Sequence, residues 1–190
     1  FEYSPESYTG TELEFAARLH DVGKIHEEFA PLLRKEDRLT PDETALMQTH
    51  SARSAELVGI ISKFRGFIQD SVRHHHERWD GKGYPNGLSG HEIPLASRVI
   101  LVADTIDAMT TDRPYRKRLP LEVVIAELKK CSGSQFDPEV VEHVVASVAV
   151  RRLITVGVET SPMPATMVVS DPGASRSGWA KKSFWKGRMA

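Results

Sequence analysis

A single cysteine, Cys131, stands among the 190 residues. That excludes an internal disulfide framework and any thiolate metal cage. No apolar run approaches the length of a membrane span, and the N-terminus carries no signal-peptide pattern. A cytoplasmic location is therefore the default expectation. An excess of one charge is also missing: 25 Lys and Arg stand against 26 Asp and Glu. Nothing in that balance suggests a general nucleic-acid-binding surface, so an anionic ligand has to be held by local charge or by metal. Strand signals are scarce; the best, Leu153 to Val158, is weak. The chain opens on Phe1 rather than Met and is read as a fragment of a longer protein.

What is present is helical periodicity. Leu13, Ala16, Ala17, His20 and Asp21 follow the stripe of a buried helix face. Thr40, Pro41 and Glu43 form a start signal: N-cap hydroxyl, proline at the first helical position, and a capping-box glutamate. From there Leu46, Met47, His50, Ser54, Leu57, Val58 and Ile61 trace one face. A shorter helix follows, with Ile68, Val72, His75 and His76 inward. Gly81, Gly83, Pro85, Gly87 and Gly90 mark residues 79–90 as a loop. A further helix is expected from about Pro94 to about Asp112, and its continuously apolar middle, Val99 to Ala103, predicts burial on all sides. Pro120 and Asp137 open two more. After about Ser161 bulky apolar residues thin out. The expectation is an all-α domain over 1–150 and an extension over 151–190, a weak strand followed by a disordered tail.

Polar residues on otherwise apolar helix faces are the informative feature. A lone histidine there is most often a hydrogen-bonded core residue. Here the anomaly recurs on successive helices: His20 and Asp21, then His50, then His75 and His76, then Asp104. Burying so many imidazoles and carboxylates uncompensated costs several kcal/mol per charged group. Divalent metal ions supply the compensation; a purely structural polar network is the alternative. Imidazole and carboxylate donors suit iron, manganese, zinc, cobalt or nickel, and argue against calcium. His20 and Asp21 lie about 100° apart on a helix, so both reach inward, and a two-oxygen carboxylate can bridge two ions. Two ions roughly 3.5–4 Å apart activate water and stabilise charge developing on phosphorus. Lys24, one turn beyond His20, suits either a phosphate oxygen or the helix C-terminal dipole. His74 points away and is assigned to the surface or to a supporting position; His26, His91 and His143 are read as structural or exposed.

The strings LHDVGKI, HHERWDGKGYPNGL, IPLASRVILVADTIDAMTTDRPYR and GSQFDPEVV resemble, in order, the signature blocks of the HD-GYP family. That family is a branch of the HD-domain metal-dependent phosphohydrolases, and the match covers residues 13–145. The resemblance implies a helical bundle with metals at its centre, two divalent ions or three in the complete protein, iron or manganese foremost. It makes His20, Asp21, His50, His75, His76 and Asp104 the ligands, with Asp21 bridging. It gives Lys24 a substrate phosphate, and Asp107, Arg113, Tyr115 and Arg116 the dinucleotide. The loop Gly83, Tyr84 and Pro85 is implied in substrate handling and in docking onto diguanylate cyclase (GGDEF) domains, although Tyr84 also suits a packing aromatic. An upstream sensory or receiver domain is implied as well.

One departure stands out. Relatives place a further histidine ligand, and some a glutamate, on a helix well upstream, and only 19 residues precede His20. The implied activity is hydrolysis of cyclic di-GMP to linear pGpG or to GMP. The rivals are hydrolysis of another cyclic dinucleotide or nucleotide phosphate, and a silent, metal-containing docking module.

Overall fold

Thr40 caps its helix as the surrounding residues predict. Its hydroxyl accepts from Glu43 N at 3.2 Å, while the Glu43 carboxylate accepts from Thr40 N at 2.7 Å. Thr9 and Glu12 form the same reciprocal pair two helices earlier. The structure is a computed structural model and describes residues 9–112 and 117–156. Its α-helices are α1 (Gly10–Leu19), α2 (Ala30–Arg34), α3 (Pro41–Gln48), α4 (His50–Gly59), α5 (Phe67–Arg73), α6 (Leu95–Thr110), α7 (Leu121–Lys130), α8 (Pro138–Ala146) and α9 (Val148–Val156). Short 3₁₀ turns, Val22–Ile25 among them, connect several of these. Among the described residues no strand forms, only an isolated bridge between Ser132 and Phe136. The all-α expectation holds.

The long helix α6 joins two cores. Ile100 packs with Ala16, Ala55, Val58, Ile68 and Val72 from α1, α4 and α5. Leu101, Val102 and Met109 pack with Val124, Leu128, Val140, Val141 and Ile154 from the C-terminal helices and with Phe136 from the segment between α7 and α8. Two packed sides explain the apolar run in its middle. Burial is nonetheless not complete, since Ala103 is exposed and Val99 half-buried. At its start, Arg98 donates to the fully buried Asp137 carboxylate at 2.5 Å, tying α6 to the N-cap of α8. The small side chains of Ser71 and Ser97 let α5 approach α6, and the Ser97 hydroxyl donates to Ser71 O at 2.9 Å.

Three expectations need correction. The stripe from Leu46 to Ile61 is not one helix. It breaks at Thr49, whose N–H and hydroxyl both bond Leu46 O, tightening the turn to an i→i−3 pattern. The weak strand signal at Leu153 is overridden: α9 is helical through Val156. The Ser147 hydroxyl accepts from Val150 N, and Val150 and Ile154, four residues apart, face the core. Residues 157 and 158 of that signal, and the tail expected beyond it, lie outside the described residues. Finally, α1 ends at Leu19, so Asp21 is not helical but follows the His20 C-cap with φ −104° and ψ 6°.

Candidate metal centre

Leaving the helix at His20 does not separate His20 from Asp21; the turn points both side chains to the same place. Gly23 makes this possible. Its N–H donates to the Ser54 hydroxyl at 2.8 Å. A Cβ there would stand 2.5 Å from Ser54 N and 2.6 Å from His50 O. Only glycine lets the turn after α1 lie directly on α4, and that contact brings Asp21 to His50.

Asp21, His50, His75 and His76 each offer a ligand atom, all within 4.8 Å of one another. His50 comes from the first position of α4, and His75 and His76 from the turn after α5. Asp21 Oδ1 lies 3.2 Å from His50 Nε2 and 3.8 Å from His75 Nε2. The other oxygen, Oδ2, lies 3.5 Å from His20 Nε2 and 2.6 Å from Lys24 Nζ. His20 Nε2 is also 3.9 Å from Asp104 Oδ1. Of the six sequence-predicted ligands, His50 and His75 lie at one Asp21 oxygen, His20 lies at the other with Asp104 beyond it, and His76 joins the cluster of Asp21, His50 and His75.

The tautomers follow from the backbone. His20, His50 and His75 each place Nδ1 2.6–2.7 Å from the carbonyl oxygen three residues earlier, at Ala17, Met47 and Val72. A carbonyl can only accept, so Nδ1 carries the proton and a neutral ring presents a bare Nε2 lone pair to the centre. Such outer hydrogen bonds are those that orient metal-binding imidazoles. Burial, reinforced by the neighbouring His20 and His50, pushes His75 down to about 3. Burial and the flanking His75 and His50 also hold His76 well below the ordinary range. Both His75 and His76 are therefore neutral, as ligands must be.

The carboxylates show the complementary deficit. Asp21 Oδ1 is buried with no well-aligned hydrogen-bond partner among the described residues, although His50 Nε2 lies 3.2 Å away. Burial opposes ionisation of Asp21, but His50, Lys24 and His20 outweigh it and keep the group ionised. Burial and then the charge of Asp21 raise Asp104 above the ordinary carboxyl range, His20 and Lys24 opposing. An orphaned buried oxygen, bare imidazole nitrogens and a crowded second carboxylate fit a divalent cation. The donor set accepts one.

Around the centre, Lys24 is partly buried and ion-paired to Asp21. Asp107, one turn beyond Asp104 on α6, is exposed and accepts from the Thr111 hydroxyl at 3.2 Å. Arg113, Tyr115 and Arg116 lie outside the described residues. His74, as expected, stays apart, its Nδ1 2.9 Å from Asp70 O. Tyr84 stacks on His76 with ring centroids 4.8 Å apart and meets His50 edge-on at 6.3 Å. Burial first, then Asp21 and Asp104, push its phenol up, so it stays protonated. Gly83 presses on the backbone of His76, Glu77 and Arg78, where a Cβ would collide. Pro85 is exposed on the outer side, behind a cis Tyr84–Pro85 bond.

Sequence reasoning passed over Glu77. It is 1% exposed, and its two oxygens accept from Asn86 N at 2.7 Å and Leu88 N at 3.1 Å. The one available signal was its place, a carboxylate between a histidine pair and a glycine-rich loop full of backbone donors.

A family model described as HD domain matches residues 2–140. A cyclic di-GMP phosphodiesterase of Thermotoga maritima is 43% identical over 136 residues, 70% of this chain and 36% of that protein. A cyclic di-GMP phosphodiesterase response regulator of Xanthomonas campestris is 40% identical over 131 residues, 68% of this chain and 34% of that protein. A 3′3′-cGAMP-specific phosphodiesterase of Vibrio cholerae is 36% identical over 127 residues, 67% of this chain and 27% of that protein. The chain therefore spans about a third of the length of the curated relatives it matches. With the helical bundle, the adjacent His20 and Asp21 at its centre and a family match covering more than half of the residues, the chain belongs to the HD domain family.

Proposed function

We propose that this chain is the hydrolytic domain of a metal-dependent cyclic-dinucleotide phosphodiesterase, which opens cyclic di-GMP to linear pGpG and onward to GMP. The observation that carries the reading is Asp21: one carboxylate with a partnerless buried oxygen facing the imidazoles of His50 and His75, its second oxygen facing His20. Asp21 Oδ1, His50, His75 and His76 would hold one ion; Asp21 Oδ2, His20 and Asp104 would hold a second. Iron or manganese suits these donors, and zinc, cobalt and nickel are compatible with them. Such ions, when bound, supply Lewis acidity towards phosphoryl oxygens and acidify water.

The chain's own groups do the rest. Lys24, tethered to Asp21 yet partly open to solvent, neutralises a non-bridging phosphate oxygen. Asp107 lines the same face of α6, and Arg113, Tyr115 and Arg116, which follow that helix, bind and orient the dinucleotide. Phosphodiester oxygens are negative and a guanidinium binds them in a planar, two-pronged way. On the outer side of the loop, Lys82, Pro85, Asn86 and Gly87 are exposed and offer the surface for a diguanylate cyclase domain. No described helix is long and apolar enough to cross a membrane. We place the reaction in the cytoplasm, and an upstream sensory or receiver domain in the longer protein. The helical domain runs to about residue 150, and the extension from 151 begins inside α9.

The test is incubation of anaerobically purified chain with cyclic di-GMP and with 3′3′-cGAMP, followed by separation of products. Linear dinucleotide or GMP, lost on chelation and in Asp21→Asn, is the expected result. Metal-loaded chain that leaves every cyclic dinucleotide intact overturns the enzymatic reading and favours a silent docking module.

A further inference from the structure

Three of the four histidine rings around the centre are oriented by their own backbone, through Nδ1 bonds to Ala17, Met47 and Val72. His76 differs. Among the described residues no hydrogen bond reaches its ring. Its contacts are with other rings: His75 at 4.1 Å between centroids, His50 edge-on at 4.9 Å, and Tyr84, which stacks on it at 4.8 Å with planes 29° from parallel. Tyr84 in turn does not rest on a helix. It stands on the loop after residue 79, and three features press that loop inward. Tyr84 N donates to His76 O at 3.2 Å. Gly83 has no side chain to hold it off the backbone of residues 76–78. Glu77 reaches under the loop and takes the N–H groups of Asn86 and Leu88, one on each carboxylate oxygen.

We infer that Tyr84, clamped through its loop by Glu77, sets the orientation of the His76 imidazole, and that both are positioning residues of the metal centre. The inference rests on the reading of His76 as a ligand. An imidazole binds a metal along one lone pair in the ring plane, so a ring free to swing about χ2 spends part of its time aimed elsewhere. A carbonyl prevents this for His20, His50 and His75; an aromatic face prevents it for His76. The buried Glu77 carboxylate is needed because two backbone N–H groups point at it, and a glutamine offers one acceptor oxygen and sets a second donor against the other N–H. Neither residue has to touch substrate for this role.

The test uses the whole chain, stripped with chelator and titrated with Co²⁺ alone, whose visible absorption reports ligand geometry without any turnover. Tyr84→Phe keeps the stack and should keep the parental spectrum and affinity. Tyr84→Leu and Glu77→Gln should change the spectrum in the manner of His76→Ala and weaken Co²⁺ binding by roughly 10- to 100-fold, the usual effect of losing a group that orients a ligand. Melting of the stripped variants separates this from general destabilisation. A lower melting temperature with an unchanged spectrum and affinity overturns the inference. If Tyr84→Leu does not fold, Glu77→Gln decides by the same criteria. A parent chain that binds no Co²⁺ removes the metal centre itself, whereas a parent that binds it but leaves cyclic dinucleotides intact removes only the proposed activity.

Discussion

The Nε2 atoms of His50 and His75 face each other at 3.3 Å. Both rings turn Nδ1 to a backbone carbonyl, at 2.7 Å for His50 and 2.6 Å for His75, so in the neutral form each presents a bare Nε2. Two lone pairs aimed at each other repel, and Asp21 Oδ1 adds a third. Protonating one ring would relieve the contact, but burial holds His75 neutral. A cation at the shared point turns the same geometry from repulsive to attractive.

Asp21→Ala should therefore lower bound metal and activity far more than His74→Ala does. Asp21 is the carboxylate between the two groups of donors, whereas the His74 ring faces the Asp70 carbonyl. Elemental analysis of protein never exposed to chelator makes the comparison. Equal metal content in the two variants would contradict the central place given to Asp21.

Lys24→Ala should leave the ions in place and slow the reaction. A charge-assisted hydrogen bond in a partly dry site is worth about 1.5–3 kcal/mol, or roughly 10- to 100-fold in rate or affinity. Turnover of a cyclic dinucleotide measured beside metal content distinguishes phosphate binding from mere neutralisation of Asp21. Parental turnover in Lys24→Ala would remove the lysine from substrate handling.

Gly23→Ala is a one-carbon change with a disproportionate effect. The new methyl meets backbone atoms of His50 and Ser54 at 2.5–2.6 Å, and backbone cannot swing aside as a side chain can. Overpacking of this kind costs about 1–3 kcal/mol, and relief requires the turn carrying Asp21 to move off α4. Both thermal stability of the metal-free chain and metal retention should fall together. A variant with parental values for both would mean that the close approach is dispensable.

Acid should destabilise the metal-free chain. The folded state keeps His75 neutral down to about 3, while in the unfolded chain it takes its ordinary value of 6.5. Between those values the unfolded state binds more protons, so stability is full above about pH 6.5 and declines as pH falls towards about 3. The slope should be steeper in the parent than in His75→Leu, read as melting temperature against pH in the presence of chelator. Parallel profiles would show that His75 does not carry the dependence.

The sequence by itself determined the helices whose ends are chemically marked. Thr40, Pro41 and Glu43 make a cap that needs no distant partner, and Asp137 with Pro138 makes another, because capping is satisfied within one turn. The cluster of Asp21, His50, His75 and His76 was also legible, since a polar residue on an apolar stripe is anomalous wherever the stripe later packs. Tertiary structure decided what depends on distant atoms. Whether Leu153 and its neighbours form a strand or a helix was settled by the core that receives Val150 and Ile154. That Gly23 must be glycine follows from Ser54, 31 residues away, and local sequence holds no record of such a contact. Glu77 gives no pattern of its own, because its partners are main-chain N–H groups, which every residue but proline has and whose direction only the folded loop sets. Local chemistry names the candidate ligands; the closeness of α4 to the turn after α1 brings Asp21 and His50 together.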